Sequence, residues 1–140
     1  MKKAFTIIEV IFIISILSLI IMVALPKLDQ ALGSSKIAQI KNDITMIREG
    51  IISYRNKMIL KDESTIIEQL DDDNILLFNK ILTYPIVASD EQKANSWSKL
   101  SNTRYKVWID NYNSVEFQYD SSQYTFSCND EDLICKELNQ

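Results

Sequence analysis

Histidine is absent from the 140 residues of this sequence, and glycine, proline and cysteine occur only twice each. Without histidine the chain has no imidazole base, no imidazole metal ligand and no Ser-His or Cys-His nucleophile pair. Two glycines and two prolines also exclude a glycine-rich phosphate loop, a collagen-like repeat and a disordered Pro/Gly linker. An enzyme is therefore the least favoured class, because its site would need paired carboxylates or an activated cysteine.

Length and charge restrict further the classes of protein that fit this sequence. One small domain, or one domain with an anchor, fits a chain of 140 residues. The 15 basic and 19 acidic residues give a net charge of −4, whereas electrostatic binding of nucleic acid needs clustered Lys and Arg. We therefore expect no direct contact with DNA or RNA.

Most of the apolar excess lies in one run near the N-terminus. Residues 5–25 read FTIIEVIFIISILSLIIMVAL, and the polar side chains among them are Thr6, Glu9, Ser15 and Ser18. A helix of about 20 apolar residues matches the thickness of a bilayer. Because Lys2 and Lys3 precede the run, it predicts a single membrane span with a cytoplasmic N-terminus and an exported remainder. A cleaved secretory signal peptide is the alternative, although Val-Ala-Leu-Pro-Lys matches its cleavage site poorly.

The two cysteines, Cys128 and Cys135, lie near the C-terminus. An exported chain reaches an oxidising compartment, where cysteine pairs are typically bonded. We therefore expect a disulfide, which would stabilise the fold by roughly 2 to 3 kcal/mol through chain entropy. Two free thiols are the alternative.

After Pro26 the apolar residues follow a helical repeat. Seven of them recur in steps of three and four and share one stripe: Ile37, Ile40, Ile44, Ile47, Ile51, Tyr54 and Met58. One helix is predicted from about Thr6 to Leu60, with a kink at Pro26. We expect the stripe to pack on the chain's own C-terminal domain, and a coiled coil with another chain is the alternative.

The pattern between this helix and residue 103 is less regular. Thr65 and Glu68 fit a capping box, and Asp71–Asp73 stand where a second short helix over 75–82 would begin. Residues 61–82 therefore predict one or two short helices. Residues 88–103 predict an irregular loop in which Trp97 is buried.

The last part of the chain alternates with a period of two. Apolar and polar residues alternate over 105–109, 114–119 and 123–128, with turn residues between them. This pattern predicts an antiparallel meander whose apolar face covers the helix stripe. The predicted fold class is therefore α+β, with a long N-terminal helix packed on a small C-terminal antiparallel sheet.

The start of the apolar run carries the most information about function. It reads KKAFTIIEV over residues 2–10, and Glu9 places a carboxylate inside the predicted span. An acid in a bilayer costs about 2 to 3 kcal/mol or more, so it normally has a partner, and residues 5–25 contain no Lys or Arg. Cleavage between Ala4 and Phe5 would create an α-amine with which Glu9 of a neighbouring copy could pair. A single acid that reaches the membrane face is the alternative.

These features together resemble the type IV pilin and pseudopilin family. The resemblance rests on the lysine-rich leader, the run Phe5-Thr6-Ile7-Ile8-Glu9-Val10, the apolar helix and Pro26, and it extends to about Arg55. It implies a pilin-like fold with a leader over 1–4, a transmembrane and assembly helix over 5–26, an amphipathic helix over 27–60 and a head over 61–140. Ala4 stands where the family usually has Gly, so we expect slower cleavage.

The resemblance also implies processing and partners. Prepilin peptidase would cut after Ala4 and methylate the amine of Phe5, and Glu9 would neutralise that amine on an adjacent subunit. Pro26 would mark a segment that loses helicity in the filament. An inner-membrane platform and a cytoplasmic ATPase would assemble the chain with other pseudopilins into a periplasmic filament, for type II secretion or for DNA uptake. A type IV pilin of a surface pilus is the alternative within the family.

A membrane-anchored periplasmic module that binds Ca²⁺ is the alternative from another class. Some major pseudopilins hold Ca²⁺ through aspartates in a C-terminal loop. The oxygen ligands of this kind in the sequence are Asp110, Asn111, Asp120, Asp130, Glu131 and Asp132. They lack the spacing of an EF-hand, so solvated turn acids are the ordinary interpretation and no cofactor is expected.

Overall fold

The computed structural model describes residues 6–63, 66–72 and 74–139, with residues 24–34 described by their backbone alone. Its fold is α+β: the described residues form two helices, a small four-stranded antiparallel sheet and a separate pair of short antiparallel strands. The chain divides into two compact units, Met1–Ser35 and Lys36–Gln140, and we call the second the globular unit. The predictions made for Ala4, Phe5, Thr65 and Asp73, and for the side chain of Pro26, lie outside the described residues.

Helix α1 spans Ile7–Leu60, which confirms the predicted helix. At its C-terminal end Asp62 takes a left-handed conformation with φ 55°. The N–H groups of Asp62 and Glu63 then donate to the carbonyls of Ile59 (3.2 Å) and Met58 (3.1 Å). This pair of hydrogen bonds is the Schellman arrangement, which satisfies carbonyls that the end of a helix leaves free.

The first part of α1 exposes apolar side chains on every side. From Ile7 to Val23, which we call the apolar stretch, all of the side chains are exposed. Among the residues that the structure describes, no helix combines the length and the hydropathy needed to cross a bilayer.

The second part of α1 packs within the globular unit, as the stripe predicts. Ile40, Ile44, Ile47 and Ile51 are completely buried, and Ile37 and Tyr54 pack at the margin of the same core. The remaining core side chains come from the sheet, from the loops beside it and from the short helix near the C-terminus. The stripe is therefore covered by the chain's own sheet, which leaves no need for a coiled-coil partner at that face.

The sheet has four antiparallel strands in the order β3-β4-β5-β6. They are β3 (Trp97–Lys99), β4 (Arg104–Trp108), β5 (Ser114–Asp120) and β6 (Thr125–Cys128). Alternate residues point to the core, among them Tyr105, Val107, Phe117, Tyr119 and Phe126. The predicted meander is confirmed in β4, β5 and β6, because the period-two pattern sets both the strands and the face that they bury.

The region between helix and meander differs from its prediction. No helix lies among the described residues between Leu60 and Leu133, so the helices predicted over 61–82 are wrong and Glu68 caps none. Instead β1 (Leu76–Leu77) pairs antiparallel with β2 (Ile86–Val87). The loop predicted over 88–103 contains β3, which sequence analysis missed, although Trp97 is fully buried as expected.

A short C-terminal helix, α2 (Leu133–Leu138), is tied to the end of β6. The carboxylate of Asp132 accepts a hydrogen bond from the Ile134 N–H (2.9 Å) and so caps the helix. Cys128 and Cys135 form a disulfide with their Cα atoms 5.9 Å apart. The disulfide therefore fixes α2 against the last strand of the sheet.

Arg48 of α1 completes this edge of the sheet. Its Nε donates to the carbonyl of Phe126 in β6 (3.0 Å), and its Nη2 donates to Oδ1 of Asn139 (2.8 Å). An edge strand with free backbone groups invites pairing with another chain. Arg48 and α2 together protect the β6 edge from such pairing.

Candidate functional site

Glu9 lies in the first turn of α1, where its backbone is held by Thr6. The N–H of Glu9 donates to the carbonyl of Thr6 (3.1 Å) and approaches its Oγ1 (3.4 Å), and the N–H of Val10 donates to the same carbonyl (3.2 Å). Thr6 is therefore the N-cap of the helix. The spacing Thr-x-x-Glu over residues 6–9 is the signature of a capping box, a signal that the sequence analysis missed.

The serine hydroxyls of the apolar stretch are satisfied by the helix itself. Oγ of Ser15 donates to the carbonyl of Ile11, and Oγ of Ser18 donates to the carbonyl of Ile14, each at 2.8 Å. Hydroxyls bonded in this way can enter an apolar environment without an external partner. Neither hydroxyl therefore needs a hydrogen-bond partner from a neighbouring chain.

The carboxylate of Glu9 differs from these hydroxyls. The ion pairs among the described residues are Lys80–Asp72 and Lys99–Asp71, and neither includes Glu9. The side chains three, four and seven residues further along the helix share its face and are all exposed and apolar: Phe12, Ile13 and Ile16. Glu9 is thus a charge on an apolar surface without an ionic partner among the described residues.

The globular unit shows the opposite arrangement around Asp71. This carboxylate is completely buried, and it pairs with Nζ of Lys99 (2.5 Å) and accepts from the hydroxyl of Tyr105 (2.8 Å). It also accepts from the N–H of Phe78 (3.3 Å). Burial and the Asp71 carboxylate raise the pKa of Tyr105 far above its usual range, so its hydroxyl remains a donor. Asp71, which the sequence predicts as part of a helix cap, instead connects its loop to the sheet through buried contacts.

Asp43 on α1 is the second buried carboxylate of the globular unit. Its Oδ2 accepts a hydrogen bond from Nε1 of Trp97 (3.2 Å). Burial raises the pKa of this carboxyl group, and the Trp97 hydrogen bond opposes that effect only in part. The contact orients the indole in the core, and the sequence offers no local signal for it because 54 positions separate the two residues.

The aspartates considered as Ca²⁺ ligands serve turns and a helix cap. Asp110 accepts from the N–H groups of Tyr112 and Asn113 (both 2.7 Å), and Asp120 accepts from the hydroxyl of Ser122 (2.6 Å). Hydrogen bonds from the Asn113 and Ser122 side chains lower the pKa values of Asp110 and Asp120, respectively.

The remaining candidate ligands lie beyond the end of β6. Asp132 caps α2, and Asp130 is exposed in the turn that precedes it. Within the part of the chain that the structure describes, no group of three or more Cys, Asp or Glu side chains is placed to hold a metal ion.

Two features thus stand out as sites. One is Glu9 in the exposed apolar stretch, which has no ionic partner among the described residues, and the other is the buried Asp71 with its contacts to Lys99 and Tyr105. Comparison of the chain with models of protein families, with curated proteins and with solved structures gives no match.

Proposed function

We propose that the chain is a structural subunit, a pseudopilin, that assembles into a filament through its N-terminal helix. The observation that carries this proposal is Glu9, an acid without an ionic partner among the described residues, on a helix face of exposed apolar side chains. The filament would serve protein secretion of the type II kind or DNA uptake. The subunit itself would be a scaffold and not a catalyst.

The polar groups of the apolar stretch support assembly between copies. A helix that is apolar on all sides needs lipid or other protein around it. In that environment the Ser15 and Ser18 hydroxyls are already satisfied, whereas the ionised carboxylate of Glu9 is costly without a counter-charge. A cation supplied by a neighbouring copy would remove this cost and would fix the axial register of the two helices.

The proposed cation is the α-amine of Phe5. A prepilin peptidase would expose it by cutting after Ala4, and it would become the positive end of the mature chain. Opposite charges attract strongly in surroundings of low dielectric, so a Glu9–amine pair between copies would favour one packing arrangement over others. The same pairing would discriminate processed from unprocessed subunits.

We place the subunit in the bacterial inner membrane before assembly, with the globular unit in the periplasm. Lys2 and Lys3 ahead of the apolar run favour a cytoplasmic N-terminus. The Cys128–Cys135 disulfide favours an oxidising compartment for the globular unit. An assembly platform in the inner membrane would then extract the subunit into the filament.

The test is filament assembly by the full chain in cells with an active pilin-type assembly system. A Glu9→Ala variant is expected to insert normally but to enter filaments at least about tenfold less often, because the neighbour's amine then lacks its counter-charge. Glu9→Gln should behave in the same way, since an amide has a similar shape and no charge. Sheared filaments can be quantified by immunoblotting against the membrane fraction.

Ser15→Ala is the matched control, because it removes a polar group that the helix already satisfies. It should assemble as the unchanged chain does. If Glu9→Ala and Ser15→Ala both assemble normally, the proposed role of Glu9 is wrong.

A further inference from the structure

Helix α2 buries few side chains to hold it in place. It has six residues, whereas isolated helices shorter than about 12 to 15 residues are marginal in water. Of its side chains, Cys135 and Leu138 are buried in the core, and the others are exposed or only partly buried. The turn that joins it to β6, residues 129–132, is largely exposed. The position of α2 therefore depends strongly on the disulfide between Cys128 and Cys135.

The side-chain amide of Asn139 joins this disulfide to the edge of the sheet. Its Nδ2 lies 3.5 Å from Sγ of Cys135 and 3.9 Å from Sγ of Cys128. Its Oδ1 accepts a hydrogen bond from Nη2 of Arg48 (2.8 Å). Nε of the same guanidinium donates to the carbonyl of Phe126 in β6 (3.0 Å). One amide therefore contacts both sulfur atoms and the side chain that covers the β6 edge.

Arg48 is held at this edge by neutral acceptors. Its two hydrogen bonds go to an amide oxygen and a carbonyl oxygen, and it is not in the ion pairs of the described residues. Water can replace a neutral acceptor at a partly exposed site at small net cost. The contact between Arg48 and Asn139 therefore depends on the docking of α2 and cannot hold α2 by itself.

We propose that the disulfide between Cys128 and Cys135 is a redox latch that docks α2, and that Asn139 couples the state of the latch to Arg48. A dithiol reductant would deliver two electrons and two protons to the two sulfur atoms. The S–S bond then breaks, two thiols form and the reductant becomes a disulfide. Helix α2 leaves the core, and Arg48 loses its Asn139 acceptor. Reoxidation by a disulfide compound reverses each step.

The latch controls how completely the β6 edge is covered. In the oxidised chain both α2 and Arg48 protect this edge. In the reduced chain Arg48 alone would remain there, with one acceptor lost. An edge strand with uncovered backbone groups invites pairing with another chain. Oxidation therefore keeps copies of the chain from pairing at this edge, and this role is independent of the proposed filament.

Hydrogen exchange of the full chain in micelles tests the latch. In the oxidised chain the N–H of Lys136 donates to the carbonyl of Asp132 (3.0 Å), and that of Asn139 donates to the carbonyl of Cys135 (3.1 Å). Dithiothreitol should speed exchange of both amides at least about tenfold. In the same reduced sample the amides of β4 and β5 should stay at least about tenfold better protected than those of α2. Oxidised glutathione should restore the original rates.

Two outcomes would overturn the latch. One is that the α2 amides keep their protection when alkylation and mass spectrometry show both cysteines to be reduced. The other is that β4, β5 and α2 lose protection together, which would mean global unfolding and not release of one helix. The double variant Cys128→Ser with Cys135→Ser should exchange as the reduced chain does at every concentration of dithiothreitol. If this variant does not fold, the titration of the unchanged chain decides the question.

Exchange of the Nε–H of Arg48 tests the coupling through Asn139. Reduction should speed this exchange at least about threefold in the unchanged chain, because the guanidinium loses one of its two acceptors. Asn139→Ala should speed it similarly in the oxidised chain, and reduction should then add little. If reduction has the same effect in Asn139→Ala as in the unchanged chain, Asn139 does not couple the disulfide to Arg48.

Asn102→Ala is the matched control. Asn102 is exposed between β3 and β4, and β3 lies at the opposite edge of the sheet from β6. Both exchange measurements should be the same in this variant as in the unchanged chain. Glu9→Ala should also keep the redox-dependent exchange, whether or not it assembles. A failure of the latch is therefore distinguishable from a failure of the proposed function.

Discussion

The apolar stretch and the globular unit differ in how their apolar side chains are covered and how their carboxylates are paired. In the globular unit the buried Asp71 is met by Lys99 and Tyr105 of the same chain, and the isoleucines of the α1 stripe are covered by the sheet. In the apolar stretch the isoleucines are exposed, and Glu9 has no ionic partner among the described residues. The globular unit covers its apolar stripe and pairs its buried Asp71 within one chain, whereas the apolar stretch leaves its apolar side chains to its surroundings.

This difference concerns polar groups as much as apolar ones. The apolar stretch satisfies its Ser15 and Ser18 hydroxyls internally, so its dependence on surroundings is confined to apolar surface and one charge. A surface of that composition suits contact with lipid or with the apolar faces of other helices. In the globular unit the outer edge of strand β6 is already occupied, because Arg48 donates a hydrogen bond to the carbonyl of Phe126.

The largest expected effect on the globular unit comes from Asp71→Ala. Removing this carboxylate leaves the buried hydroxyl of Tyr105 and the largely buried ammonium of Lys99 without their acceptor, which costs roughly 3 to 5 kcal/mol of unfolding free energy. Both tryptophans of the chain, Trp97 and Trp108, lie in the globular unit, so their fluorescence in a thermal melt of the full chain in micelles reports on it alone.

Asp72→Ala is the control for this prediction. Asp72 pairs with Lys80 at 2.8 Å on the surface, and exposed pairs contribute about 1 kcal/mol or less. Equal losses for the two variants would show that Asp71 is not a structural link between loop and sheet.

The next effect compares two isoleucines of the same helix. Ile47→Ala opens a cavity in the core and should cost about 2 to 5 kcal/mol. Ile13→Ala changes an exposed side chain of the apolar stretch and should leave the tryptophan melt unchanged. A loss of melting temperature in Ile13→Ala similar to that in Ile47→Ala would contradict the division between self-sufficient and dependent regions.

Removal of the disulfide should have a somewhat smaller effect. Replacing both Cys128 and Cys135 by Ser releases a short loop, which by chain entropy costs roughly 2 to 3 kcal/mol. The tryptophan melt of the variant should match that of the unchanged chain under reducing conditions, and reducing agent should not alter the variant further. A variant as stable as the oxidised chain would contradict a stabilising role for the disulfide.

The smallest expected effect is that of Asp43→Asn, which should stabilise the globular unit by an amount that depends on pH. Because burial raises the folded pKa of Asp43, its protonated form favours folding, and that stabilisation is lost as the pH rises through the folded pKa. Asp43→Asn should therefore melt at a higher temperature than the unchanged chain at pH 7, and the difference should shrink towards pH 3.5.

Asp110→Asn should melt at a lower temperature than the unchanged chain at pH 7, and this difference should shrink as the pH falls. The folded pKa of Asp110 is lowered, so its stabilisation is present at neutral pH and is lost as the pH falls through that value. Melts between pH 2 and 7 test both variants together, because the loss expected for Asp110 lies below the ordinary carboxyl pKa of 3.8. Parallel slopes for the two would show that the two carboxylates do not differ in the way that their surroundings indicate.

The sequence predicts the elements whose residue pattern repeats locally. Its predictions fail where a residue makes its contacts with residues far away in the chain. The α1 stripe and strands β4 to β6 follow periods that a local pattern displays. The predicted helix over 75–82 fails because Asp71 turns inward to Lys99 and Tyr105, which are 28 and 34 positions away. Strand β3 is missed because Trp97 and Ser98 are both buried, so its three residues show no alternation.

The candidate site follows the same rule. Glu9 can be recognised from sequence alone, since one acid in a long apolar run is conspicuous. The Thr-x-x-Glu spacing over residues 6–9 signals the cap at Thr6, whereas the contacts that satisfy Ser15 and Ser18 within the helix are seen only in the structure. Those contacts depend on helix geometry, and they are what leaves the Glu9 carboxylate as the charge in need of a partner.

The most direct test of the central claim is the mass of the full-length gene product extracted from membranes of cells with an active prepilin peptidase. The account predicts a chain that begins at Phe5 and carries one methyl group on its α-amine, the cation proposed for Glu9 of a neighbouring copy. A chain that still begins at Met1 under these conditions would remove that cation and contradict the account.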